Sequence, residues 1–265
     1  MLAEKPVSER FAPTSETLSL IGSEEWDVYA RVFAELQREG INFAIGGGFA
    51  KQCYTGIPRQ AKDLDLYILP CHRDTAVRVT SRAGLADYYE RRPYDRAWIY
   101  RSFRADVIHE DVIVDVIWAM ANQRAQVDGA WINSGPLITV RDITLRLVPP
   151  EELIWSALYV LQRDRSDWPD ALNLLHACAA HLNWDHLIER LGEDLPLLAA
   201  LAQVFLWLCP DRVCEIPPEL RSRIAVADKS QPNCGLRGLR AARLDTRPWF
   251  ALVGEQERRD RQEGG

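Results

Sequence analysis

The stretch 41–67, INFAIGGGFAKQCYTGIPRQAKDLDLY, constrains this chain more than any other. An apolar strand runs into Gly46-Gly47-Gly48, and a second strand opens with Asp63-Leu64-Asp65. Side chains two apart on a strand share a face, so Asp63 and Asp65 point one way while Leu64 and Leu66 point into the core. Glycines allow a bend that an ordinary residue resists, and they let the backbone approach a phosphate. A further carboxylate, Asp115, interrupts the apolar run VIVDVIW at 112–118. An unpaired charge is costly there, so Asp115 needs a partner, and a metal ion is the natural one.

Elements alternate around this stretch. Ser23 followed by Glu24 and Glu25 predicts a helix start, with acids on the positive end of the dipole. Trp26, Tyr29, Val32, Phe33 and Leu36 continue at helical spacing until Gly40 stops the run. The patterning predicts strands over 41–45, 64–69, 98–103, 112–118, 137–140 and 143–148, with helices over 49–54 and 75–83. Pro149-Pro150 marks a change of character, and helices are predicted beyond it over 151–163, 168–180, 184–191, 195–208 and 217–226. The expected fold class is therefore α/β plus α, a mixed β-sheet with flanking helices followed by a C-terminal helical bundle. The expected domains are a loose arm over 1–20, an α/β domain over 21–148, a helical domain over 149–228 and a basic, polar, partly disordered tail over 229–265.

With 47% hydrophobic and 26% charged residues, the composition is that of an ordinary globular protein. The formal net charge of -6 argues against a protein that coats nucleic acid. Basic residues cluster only locally, at Arg91, Arg92 and Arg96 and at Arg237, Arg240, Arg243 and Arg247. No apolar run reaches the length that spans a bilayer, the N-terminus does not read as a signal peptide, and the scattered cysteines include no C-x-x-C pair. These features lead one to expect a cytoplasmic protein with reduced cysteines and no membrane partner.

The acids suggest chemistry. Moving a nucleotide from a triphosphate to a hydroxyl requires neutralised phosphates, an aligned acceptor and removal of its proton. Two Mg²⁺ ions, about 4 Å apart, meet the first two needs and take oxygen ligands. Strand-borne Asp63 and Asp65, with Asp115 from another strand, offer a minimal ligand set. Other patterns are weaker. The glycines fit neither the dinucleotide fingerprint nor the P-loop. His176, Cys178 and His181 do not share one helical face, which disfavours zinc. Tyr88, Tyr89, Tyr94, Trp98 and Tyr100 read as core and rim rather than a base-stacking platform.

The block Gly46-Gly47-Gly48-Phe49-Ala50, then Gly56-Ile57-Pro58-Arg59, then Lys62-Asp63-Leu64-Asp65-Leu66 resembles the DNA polymerase β-type nucleotidyltransferase superfamily. It is most similar to the small bacterial members, including the abortive-infection toxin group. Segments 149–156 and 163–170 extend the likeness, which covers about residues 25–210. The resemblance implies an NTP substrate, with ATP expected, and two Mg²⁺ ions, or Mn²⁺ in their place, held by Asp63, Asp65 and Asp115. It implies that Gly47 and Gly48 donate backbone N–H groups to the triphosphate, and that Asp115 helps deprotonate the acceptor. Arg59, Lys62, Arg163 and Arg165 are the cations it offers to phosphate, and an antitoxin is a possible partner.

The chain departs from the pattern at Ala61, where relatives often carry Thr, and at Ala157, where they often carry Lys. The acceptor stays open among tRNA, protein and a small molecule. So does an alternative in which the protein binds nucleotide without turnover, as a sensor or partner-binding module.

Overall fold

A computed structural model describes residues 11, 13, 18–58, 61–105, 112–122, 124–162 and 165–225. The predicted tail, its arginine cluster and most of the predicted arm lie outside these residues. The chain divides after Pro150 into two compact units.

In the first unit, helix α1 (Ser23–Arg38) buries Trp26, Val28, Tyr29, Val32, Phe33 and Leu36 along one face. Glu25 sits in its first turn and accepts the Gly22 N–H at 3.3 Å. Gly40, at φ 68°, turns the chain so that Ile41 N–H reaches the Leu36 carbonyl at 3.0 Å. Strand β1 (Phe43–Ile45) follows, then α2 (Gly47–Thr55), β2 (Leu64–Ile68) and α3 (Arg73–Arg82). The short β3 (Ala86–Asp87), β4 (Ile99–Arg104) and β5 (Val112–Ile117) complete a five-stranded sheet of order β1-β2-β5-β4-β3. Its β2 and β5 strands are parallel, and the other neighbouring pairs are antiparallel.

The strand phase divides the sheet cleanly. Leu64, Leu66 and Ile68 on β2 and Val112, Val114 and Val116 on β5 point into the buried layer. Asp65, Tyr67, Asp115 and Ile117 face the other way. A small helix, α4 (Gly129–Asn133), starts at Asp128, whose carboxylate accepts the Ala130 N–H at 2.9 Å, and stacks its buried Trp131 on Tyr67. The hairpin β6 (Leu137–Val140) and β7 (Ile143–Arg146) turns through Arg141 and Asp142, both at positive φ, as a two-residue turn between twisted strands demands. The chain after β7 then lies beside β1, where Val148 N–H donates to Ile45 at 2.8 Å and the Tyr54 hydroxyl donates to the Val148 carbonyl at 2.8 Å.

The second unit is helical, with α5 (Pro150–Leu158) opening at the division, then α6 (Trp168–Cys178), α7 (Trp184–Leu191), α8 (Leu195–Leu208) and α9 (Pro218–Ala225). The stretch 184–208 is long and apolar enough by composition to cross a membrane, but it breaks at Gly192 and buries Leu187, Leu191, Leu195, Leu198, Leu201 and Phe205. Glu152 is fully buried, and one of its oxygens meets His186 Nε2 at 2.7 Å and Arg190 Nη2 at 2.9 Å.

Several boundaries differ from the sequence expectation for local reasons. Helix α2 begins at Gly47, two residues before the predicted start, so the glycines form its first turn rather than a free bend. Helix α5 stops at Leu158 instead of 163, because Gln162 N–H bonds the Arg165 carbonyl and Asp167 N–H bonds Val160, closing a loop. Elements β3 and α4 are too short to show a period. Glu151 and Glu152 are more than first-turn acids, since Glu151 also accepts the Asn183 N–H at 2.6 Å.

One packing constraint is sharp. A Cβ on Gly135 would lie 1.8 Å from the Leu147 carbonyl oxygen, which belongs to the backbone and cannot swing aside. Gly135→Ala is expected to lower stability by about 2 kcal/mol, read as a lower midpoint in urea unfolding.

Candidate active site

Register brings the site together. Asp65 on β2 stands opposite Asp115 on β5, and Asp115 stands opposite Arg101 on β4, so the three form one row across adjacent strands on one face. Asp63 lies just before β2, one pleat repeat from Asp65. Asp115 is buried and finds its partner within the sheet: Arg101 Nε donates to Oδ1 at 2.8 Å and Nη2 to Oδ2 at 2.5 Å. The same Nη2 reaches Asp63 Oδ2 at 2.7 Å. The sequence expectation gave Asp115 a metal as partner. In the fold a guanidinium fills that role, and Arg101 went unnoticed because a lone arginine in a strand carries no signal until register is known.

The carboxylates strain against each other. Burial raises the Asp65 pKa well above the ordinary carboxylate range, and the neighbouring charges of Asp63 and Asp115 push it further; Lys51 and Arg101 oppose the shift. Burial pushes Asp115 up to about 6 in spite of the Arg101 hydrogen bonds. Three carboxylates in an oxygen-rich cluster suit a hard divalent ion such as Mg²⁺ or Mn²⁺ by donor chemistry. Among the described residues, however, they are not gathered as a ready cage, and Arg101 holds two of them.

Gly47 is fixed by the acids themselves. It adopts φ 53°, and a Cβ there would fall 1.5 Å from Asp65 Oδ2, so the carboxylate occupies the space that any other residue needs. Gly48 is less constrained, since a Cβ would meet the Ala61 methyl at an ordinary 3.5 Å. Gly46, before the first turn of α2, offers no side-chain cap, so that turn presents N–H groups to an anion. Lys51, one turn further along α2, is the cation that most eases Asp65, and it too was missed because helical spacing from Gly47 was not expected.

The remaining expected residues separate. Lys62 is exposed beside Asp63. Arg165 belongs to the second unit and pairs with Asp167 at 3.2 Å, while Arg59 and Arg163 lie outside the described residues. His176, Cys178 and His181 belong to no metal-binding group among the described residues. The tyrosines serve the site indirectly: the Tyr94 hydroxyl accepts the Arg101 N–H at 2.9 Å, and the Tyr88 ring lies 5.8 Å from the guanidinium carbon. A narrow cleft of about 20 Å³ opens beside Asp63, lined by Glu25, Tyr29, Phe49, Gln52 and Ala61. Tyr29 donates to Glu25 Oε1 at 2.6 Å, and burial with the nearby acids holds its phenol protonated.

No family model and no curated protein matches this chain. Some solved structures are distantly similar to it. The antibiotic-resistance factor ANT(2'')-Ia is 16% identical, with 66% of this chain and 94% of that one covered and a TM-score of 0.43. An antigenic nucleotidyltransferase-like protein from Paracoccidioides brasiliensis is 17% identical over 74% of this chain and 93% of its own, with a TM-score of 0.44. JHP933 from Helicobacter pylori is 11% identical over 96% and 97%, with a TM-score of 0.41. At this distance no residue role passes from those proteins to this one.

Two outcomes test the geometry. Gly47→Ala should destabilise by about 2 kcal/mol or more in urea unfolding, since it meets both an unfavourable φ and the Asp65 carboxylate. Asp65→Asn should do the opposite in metal-free protein. A raised folded-state pKa means that the ionised form costs stability above that value, and that the cost fades as pH falls. The variant should therefore melt a few degrees higher than wild type at pH 8, with the gain shrinking in acid, as followed by circular dichroism.

Proposed function

We propose that this protein is a divalent-metal-dependent nucleotidyltransferase that moves a nucleoside monophosphate from an NTP to a hydroxyl acceptor and releases pyrophosphate. The observation that carries this reading is the packing of the Asp65 carboxylate against Gly47, which sets an acidic row directly beside an uncapped helix N-terminus. A divalent ion bound by these carboxylates would lie beside phosphates held by the helix amides.

In this scheme the N–H groups of Gly47 and Gly48 bind triphosphate oxygens, and Lys51 and Lys62 add positive charge at the same end of the site. Arg59 is the further cation proposed for phosphate. Mg²⁺ held by Asp63, Asp65 and Asp115 supplies neutralisation of the phosphate charge. The acceptor oxygen attacks the α-phosphorus, a new P–O bond forms, and the bond to the pyrophosphate oxygen breaks. The hydroxyl proton passes to Asp115, the carboxylate on the strand beside Asp65. The cleft beside Asp63, with Glu25 and Gln52 in its lining, is narrow, and the acceptor stays open among tRNA, protein and a small molecule.

Labelled NTPs offered with Mg²⁺ to aminoglycosides, tRNA and lysate protein should label one of the three and so identify the acceptor class. Asp63→Asn with Asp65→Asn should reduce incorporation by about a thousandfold. Wild-type incorporation by that double variant would overturn the assignment. Binding of a non-hydrolysable NTP with no turnover on any acceptor would favour the sensor alternative.

A further inference from the structure

Arg101 touches two of the three acids, and the proposed chemistry gives it no task. Its guanidinium is forked onto both oxygens of Asp115 and reaches Asp63. The placement is built. Tyr94 clamps the Arg101 backbone through both its N–H and its carbonyl, at 2.9 and 3.3 Å, and Tyr88 flanks the guanidinium. The side chain is still 32% exposed, so one end of the pair opens toward solvent while Asp115 beneath it is sealed.

We infer that Arg101 is a resident counter-ion that fills the place of the divalent ion in the metal-free protein and must be displaced when the ion enters. This rests on the nucleotidyltransferase reading above. A buried carboxylate left without a positive partner would cost several kcal/mol, so a site that waits empty for its ion needs a substitute charge. A fork matches a carboxylate better than a lysine does, which explains why arginine stands there. The cost is competition: the oxygens that Arg101 holds are the ones the ion requires. An ion arriving with a triphosphate compensates this, because the released guanidinium then faces new anionic oxygens. The device therefore favours the metal–nucleotide pair over the bare ion.

The test is Mn²⁺ binding to the full chain without nucleotide, read from the free-ion signal in electron paramagnetic resonance. Arg101→Met should bind Mn²⁺ about tenfold more tightly than wild type. It should also melt lower than wild type without metal and recover when Mn²⁺ is added. Equal or weaker binding by the folded variant overturns the inference and leaves the nucleotidyltransferase reading intact. No Mn²⁺ binding by either protein overturns both. Should Arg101→Met fail to fold, Arg101→Lys, which keeps a charge without the fork, should bind between the two, and an unchanged affinity overturns the proposal. A merely structural role for Arg101 predicts weaker binding on its loss, the opposite sign.

Discussion

A buried carboxylate in the middle of an apolar strand is the constraint around which the first unit is organised. Asp115 lies between Val114 and Val116, both fully buried, and its charge has no access to bulk water. The sheet answers with Arg101, placed directly across the β4–β5 ladder and bonded through two nitrogens. Removing either member would leave the other charged in a poorly solvated place, which is far worse than losing an ordinary hydrogen bond. The register of β4 against β5 is thus held electrostatically as well as by the apolar residues around it, and a slip by one residue would part the pair.

The acidic row also dictates its surroundings. Asp65 stands beside Asp115 across the parallel β2–β5 pair, and its carboxylate has no room except over the α-carbon of Gly47. The helix that starts there is consequently uncapped and begins with glycines, a poor start by propensity. That weakness is compensated by burial of Phe49, Ala50, Cys53 and Tyr54 on the other side of the same helix. Local helix stability is given up at one end so that acids and open N–H groups can lie side by side. Such conflicts between local preference and global arrangement gather where a protein does chemistry.

The second unit handles buried charge in a different way. Glu152 is sealed, with its oxygen shared by His186 and Arg190 from α7, and Tyr159 donates to the buried carboxylate of Asp194 at 2.7 Å. These acids meet donors rather than other carboxylates. Burial raises the pKa of Glu152 as it does those of Asp65 and Asp115, and in the first unit the crowding of like charges adds to the effect of burial.

Much of this was legible in the residues alone. Alternation in KDLDLYI put Asp63 and Asp65 on one face, the valine-rich run put Asp115 inside, and Pro149-Pro150 marked the point where the pattern turns helical. Those signals are local, and a period of two or of 3.6 needs only a few residues to declare itself. The partners of the acids were not legible. Arg101 is thirty-six residues after Asp65 and fourteen before Asp115, and nothing in either spacing says that β4 lies against β5 with those residues opposite. Lys51 gained its meaning only once the glycines became a helical turn. Sequence determined which side chains could carry charge on a common face, because side-chain direction follows the backbone period. Only the tertiary structure decided which opposite charge meets them, because strand order and register are set by the packing of the whole sheet.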